Sequence, residues 1–170
     1  MKIIIALILT NTLLSAFFEN VSNFQSKFRQ TITSDGKDII YEGELYIKRP
    51  SSVLWLYQKP IRKSIYIRDH SLFMIEPDLE QVIIKSISKS LQLVKILESS
   101  KKISANRYVA TIKDKKYLII LKKSMLFRII YSDEVENSIE ITFIDPRVDI
   151  EINDKKFFPN IPSDFDRIYQ

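Results

Sequence analysis

The chain has 170 residues, 45% of them hydrophobic, no cysteine, two glycines and a formal charge of +5. That length and apolar content fit one domain with a real core and argue against disorder. Two glycines, Gly36 and Gly43, leave no glycine-rich phosphate loop, and the missing cysteine removes disulfides, a thiol nucleophile, thiolate metal sites and the acylated cysteine that anchors a bacterial lipoprotein. The basic residues are scattered instead of forming a stripe, so no nucleic-acid partner is expected, and weak attraction to anionic membrane surfaces is the likelier consequence of the charge.

Met1-Lys2 and the apolar run Ile3 to Leu9 form a charged start and a short hydrophobic core, with Ala16 as a small residue for cleavage. This predicts a secretory signal peptide over residues 1–16 and a single domain over residues 17–170. Leu14 stands where a small residue is preferred, and an uncleaved anchor is the competing reading. Next, Ser22-x-x-Gln25 has the form of a capping box, and Val21, Phe24, Phe28 and Ile32 recur at helical spacing. The spacing predicts an N-terminal helix over residues 20–32 docked on a sheet.

After the turn Ser34-Asp35-Gly36-Lys37 the pattern changes to short strands: Asp38–Lys48, Val53–Gln58, Lys63–Arg68, Leu72–Glu76 and Glu80–Lys85. The first two are the most informative. Tyr41, Leu45 and Ile47 alternate with Glu42, Glu44 and Lys48, while Tyr46 interrupts the polar face. Arg49-Pro50-Ser51-Ser52 then makes a turn into a strand carrying Trp55, so the pair predicts an antiparallel hairpin. Arg49 shares parity with Leu45 and Ile47, which places it at the end of the apolar face. Residues 86–100 read as a helix that is apolar most of the way round through Leu91, Leu93, Val94, Ile96 and Leu97, with Ser88 or Ser90 as its cap. Set within a meander of strands, it is a candidate lid or a core helix. Further strands are expected over Arg107–Lys113, Lys116–Lys122, Leu126–Ser132 and Ser138–Ile144, with Val148–Ile152 as a candidate addition.

Catalysis finds little support. Asp69-His70-Ser71 has the residue types of a triad, but neighbours in one turn cannot converge on each other. His70 is the sole histidine. Asp133, Glu134 and Glu136 lack a histidine or a calcium-loop spacing and read as a solvated acidic corner. No enzyme activity, cofactor or metal is expected. What remains is a surplus of strand-borne apolar surface, enough to line a chamber through Ile47, Val53, Trp55, Ile65 and Ile67, with Leu91, Val94 and Leu97 from the lid.

Phe28-Arg29-Gln30, then Gly43, Leu45, Ile47, Arg49-Pro50, Trp55, Tyr57 and Pro60, then Pro77-Asp78-Leu79-Glu80-Gln81 form an ordered set. This set resembles the periplasmic outer-membrane lipoprotein carrier family, LolA. The family pattern is roughly a helix ending in F-x-Q, then G-x-[LF]-x-[IV]-x-R-P-x-x-F-x-W-x-Y-x-x-P, then P-D-L-x-Q. One departure is Val53, where the family usually has phenylalanine. The tail from Phe157 to Pro162 resembles the family's C-terminal F-x-x-x-x-P element, which packs back on the sheet.

The resemblance implies a mainly β fold with helices: an unclosed antiparallel β-barrel, or half-barrel, covered by an N-terminal helix and a lid helix. It implies a periplasmic monomer that shields the acylated N-terminus of lipoproteins. Such a carrier receives them from an inner-membrane lipoprotein-releasing ABC transporter and hands them to an outer-membrane acceptor, LolB-like or otherwise. The ligand cavity would be lined by Phe28 and the chamber residues above, and Arg49 would lock the lid by hydrogen-bonding its backbone carbonyls. A carrier or sensor of another lipid or glycolipid is the alternative the same residues allow.

Overall fold

The computed structural model describes residues 21–87 and 92–170. The expected signal peptide, Ser88, Ser90 and Leu91 lie outside the described residues. The strands are β1 (Asn23–Ser34), β2 (Lys37–Lys48), β3 (Ser52–Lys59), β4 (Lys63–Arg68), β5 (Ser71–Glu76) and β6 (Gln81–Ser86), followed by helix α1 (Gln92–Glu98). Then come β7 (Lys101–Ser104), β8 (Arg107–Ile112), β9 (Lys115–Lys122), β10 (Met125–Ser132), β11 (Ser138–Val148) and β12 (Asp166–Tyr169). They form one unclosed twelve-stranded sheet in the order β12-β6-β5-β4-β3-β2-β1-β11-β10-β9-β8-β7. Neighbours pair antiparallel except β12, which runs parallel to β6.

The segment expected to be an N-terminal helix is β1, the strand that joins the two halves of the sheet. Phe24, Phe28 and Ile32 are four apart, and a spacing of four is shared by helical and strand periods. The tertiary partners decide: β1 pairs with β2 from Asn23↔Lys48 to Ser34↔Lys37 and with β11 from Phe24↔Val148 to Thr33↔Ser138. Its even positions Phe24, Ser26, Phe28 and Gln30 are buried, and its odd positions Gln25, Lys27, Arg29 and Thr31 are polar. Ser26 sits where the β1–β11 register slips between Gln25 and Lys27, and its hydroxyl lies 2.9 Å from the Ile144 carbonyl oxygen. That hydrogen bond lets a polar side chain occupy a buried row.

The hairpins hold their register through two-residue turns. Asp35 and Gly36 both have positive φ, as do Lys113 and Asp114, and Lys123 and Ser124. Positive φ at both central positions matches the twist of paired strands.

The strand alternation produces two apolar faces. The concave face gathers Phe24, Phe28, Leu45, Ile47, Val53 and the inward rows of β8 to β11 into the main core, onto which α1 packs Ile96 and Leu97. The convex face of β2 and β3 buries Tyr46 and Leu54 under Ile152 and Phe157. Tyr46 therefore interrupts the polar face of β2 because the C-terminal tail covers it. Lys48 anchors this cover through a 2.5 Å ion pair with Asp154, and the Lys156 ammonium lies 3.9 Å from the Tyr46 ring centroid. Residues 149–153 are not a strand, since β11 ends at Val148 and the chain turns there into the short 3-10 segment Asp154–Phe157.

Gly43 has no room for a side chain. A Cβ there would meet the Leu56 carbonyl oxygen at 1.9 Å and the Phe28 ring at 3.0 Å. The β2–β3 register slips at this point, between Glu42 and Gly43. Gly43→Ala is expected to cost roughly 3 kcal/mol through overpacking, a fall in Tm of about 6–12 °C for a chain of this size. A thermal melt checks this, and an unchanged Tm would mean that the two strands separate freely at this point.

Candidate functional site: an apolar cavity with a polar centre

Inward side chains of the two halves of the sheet do not fill the whole space between them. They leave a cavity of about 600 Å³, walled by Val53, Trp55, Ile65, Ile67 and Leu72 on one side. The facing wall carries Tyr117, Ile129, Tyr131, Ile139 and Ile141, and Leu93 and Ile96 of α1 cover part of the space. Register explains why β3 and β4 line up: Trp55 pairs with Ile65 and Val53 with Ile67, so all four share one face. Pockets for small apolar ligands span roughly 300–1,000 Å³, and this one lies within that range.

Phe28 lies beneath this wall instead of on it. Its ring is 99% buried and meets Trp55 and Tyr57 edge-on, with centroids 5.0 and 5.1 Å away. Such pairs add about 0.5–1.5 kcal/mol each to plain burial. Phe28 thus holds the two aromatic side chains of β3 upright on the cavity wall.

The centre of the cavity is polar. Tyr57 donates its hydroxyl hydrogen to Gln30 Oε1 at 2.9 Å. Burial pushes the Tyr57 phenol far above its ordinary range and raises Tyr131 to about 12, so both stay protonated donors at neutral pH. Tyr117 and Tyr131 lie ring against ring, 5.0 Å apart. At the rim, Lys115 pairs with Glu134 at 3.4 Å. The Asp133 carboxylate is lowered chiefly by its hydrogen bond from Asn137, which ties the β10–β11 turn together.

Arg49 stands elsewhere. With Ile47, Val94, Leu97, Val21, Asn23 and Phe24 it surrounds a separate small pocket of about 20 Å³. Lys48 pairs with Asn23 at the start of β1, whereas Ser138 pairs with Thr33 near its end. Ten strand residues separate these levels, roughly 30 Å along the strand, so Arg49 and the Asp133–Glu134 rim mark opposite ends of the concave face. The Arg49 backbone N–H donates to the Ser22 carbonyl at 3.0 Å, and its Nη2 donates to Glu98 Oε1 at 2.7 Å. This described contact is to a carboxylate at the C-terminus of α1, a side chain, where the sequence predicted backbone carbonyls. Two C-terminal carbonyls of α1 are met locally, Lys95 by Ser99 Oγ and Leu97 by Ser100 Oγ.

Of the sequence-predicted residues, Val53, Trp55, Ile65 and Ile67 share the large cavity, while Ile47, Val94, Leu97 and Arg49 share the small pocket. Sequence reasoning missed Gln30, Tyr57, Tyr117 and Tyr131. The signal for Gln30 was its even position in a strand read as a helix. Among the described residues, no three histidine, aspartate or glutamate side chains gather as a metal site.

The family model "Outer membrane lipoprotein carrier protein LolA" matches residues 19–124. An outer-membrane lipoprotein carrier protein of Wolinella succinogenes is 35% identical over 165 residues, covering 96% of this chain and 95% of that one. The chain belongs to the outer-membrane lipoprotein carrier family. A carrier of the same name from Campylobacter jejuni is 29% identical over 147 residues, 86% of each chain. Among solved structures, a LolA superfamily protein from Nitrosomonas europaea superposes with a TM-score of 0.53 at 14% identity, covering 87% of this chain and 96% of that one. An uncharacterized conserved protein from Thermus thermophilus reaches 0.59 at 10% identity, over 92% and 95%. These likenesses establish the family and the LolA-type half-barrel, into which β1 enters as a strand.

The Arg49–Glu98 pair is about a third exposed on each side, so its coupling is expected to be modest, about 0.3–1 kcal/mol. A double-mutant cycle with Arg49→Leu and Glu98→Gln, read by denaturant unfolding, checks this. Zero coupling would show that the contact does not hold α1.

Proposed function

We propose that this chain is a periplasmic carrier that shields the acylated N-terminus of lipoproteins and moves them from the inner to the outer membrane. It takes cargo from an inner-membrane lipoprotein-releasing ABC transporter and delivers it to an outer-membrane acceptor, acting as a monomer by binding and not by catalysis. The observation that carries the reading is the apolar cavity of about 600 Å³ on the concave face of a lipoprotein-carrier chain. In this reading residues 1–16 export the chain, the cavity residues hold the cargo and Arg49 locks the lid.

The physical demand is set by the acyl chains. Each buried methylene is worth about 0.8 kcal/mol, so a chain of about fifteen carries on the order of 12 kcal/mol. That is far too much to cross water unshielded, yet the carrier must give the chain up again. An unclosed sheet with a short helix on one end meets both needs, because the walls can separate without breaking a closed barrel. A half-exposed ion pair such as Arg49–Glu98 stabilises by only about 0–1 kcal/mol, weak enough for cargo to displace and present again once the cavity empties. Val53, smaller than the family's phenylalanine, leaves extra space beside Ile67, its partner across β3 and β4.

Incubation of the purified protein with spheroplasts making labelled lipoprotein tests the proposal. A soluble one-to-one complex is expected, and its absence with a working transporter would contradict the carrier reading and turn attention to another lipid or glycolipid. Arg49→Leu is expected to load normally and to deliver to acceptor membranes several-fold more slowly. Delivery at the wild-type rate would remove Arg49 from the mechanism.

A further inference from the structure

The apolar cavity holds more polar groups than its own hydrogen bonds use. Gln30 is 8% exposed, comes from the middle of β1 and lines the cavity. Tyr57 takes its Oε1, and among the described residues no acceptor meets its Nε2. The hydroxyls of Tyr117 and Tyr131, which also line the cavity, likewise make no hydrogen bond with another described residue. All three groups can donate. These donors line an apolar cavity without a partner among the described residues, so such a cluster fits a ligand that brings acceptors with it.

The surroundings narrow the ligand's chemistry. The walls next to the cluster are aliphatic, Ile129, Ile139 and Ile141 on one side and Val53 and Ile65 on the other. A ligand placed here has a polar acceptor flanked by hydrocarbon. Among the described lining residues the one cation is Lys115, whose ammonium is engaged by Glu134 at the rim, where Asp133 also lies, and the Lys63 ammonium sits over the Tyr57 ring, so a neutral acceptor suits the centre better than a full negative charge.

We infer that Gln30 Nε2 with the Tyr117 and Tyr131 hydroxyls forms a carbonyl-binding subsite, which hydrogen-bonds the ester or amide carbonyl oxygens joining acyl chains to their polar head. Tyr57 is a positioning residue, because its hydroxyl holds Oε1 and thereby turns the amide N–H groups to the cavity. The subsite sets how deep the acyl chains sit: carbonyls stop at the donors and methylenes continue along the walls. This inference rests on the carrier reading and adds to it a preference for esters over hydrocarbon of equal length.

The test compares a synthetic lipopeptide bearing two ester-linked palmitoyl chains on its cysteine with the dialkyl ether of the same length, and with a phosphatidylglycerol carrying the same esters. Trp55, the sole tryptophan and a cavity wall residue, reports binding by its emission. The wild type is expected to bind the ester lipopeptide more tightly than the ether, by roughly threefold to tenfold per hydrogen bond. Tyr131→Phe removes a hydroxyl that makes no hydrogen bond with another described residue, so folding is expected to be preserved, and Gln30→Met keeps the volume without the donors. Both are expected to lower ester affinity towards that of the ether and to leave ether affinity unchanged. A similar ester preference with phosphatidylglycerol would support the subsite and make ester carbonyls in general its ligand. Preference confined to the lipopeptide would support it with lipoprotein as the source. Equal binding of ester and ether by the wild type would overturn the subsite while leaving the carrier reading intact. Binding of neither, with no lipoprotein released from spheroplasts, would overturn both.

Discussion

The contact of the Phe28 ring with the bare backbone of Gly43 governs the rest of the structure. It lets β2 and β3 approach where their register slips, and it seats an aromatic ring under Trp55 and Tyr57. With those two side chains propped from below, the β3 wall stands away from the β9–β11 wall. A sheet whose inner row consisted only of branched aliphatics would be free to fold over and fill itself. Here the aromatic pillar belongs to the central strand, so both halves take their orientation from it.

Two apolar faces on one sheet require two covers. The tail supplies the convex cover by laying Phe157 over Tyr46 and Leu54, and β12 then pairs with β6 to protect one edge. The other edge, β7, is short and begins with Lys101-Lys102, a composition that discourages further pairing. Among the described residues the concave face receives helix α1, whose Leu93 and Ile96 line the large cavity while Val94 and Leu97 line the pocket beside Arg49. The described turns of α1, Gln92–Glu98, lie over one part of that face. The position of the cavity follows from strand parity together with where the helix ends.

Much of this was legible in the sequence where the signal was local. Alternation from Tyr41 to Lys48 set the parity of β2, and the turn at Arg49 to Ser52 placed Trp55 on the same face as Leu45. The helix expected over residues 20–32 failed because Phe24, Phe28 and Ile32 fit both periods, and the polar Ser26 and Gln30 concealed the inward row. The odd positions, polar from Gln25 to Thr33, held the better evidence. Ser22, read as a helix cap, instead donates its backbone N–H to Asp149. β7 and β12 are short and polar and depend on partners distant in the chain, so no local pattern announces them. Tyr117 and Tyr131 lay in strands that were read as such, but their shared face emerges only from the β9–β10 register.

In the proposed carrier the concave face, and not the convex one, holds acyl chains. Photocrosslinking in cells tests it most directly, with a photoreactive residue placed at Ile67 on the cavity wall or at Phe158 on the convex side. Adducts with the acylated N-terminus of lipoproteins are expected from position 67 and none from position 158. Adducts from 158 alone, or none from 67 in a folded and exported protein, would contradict it.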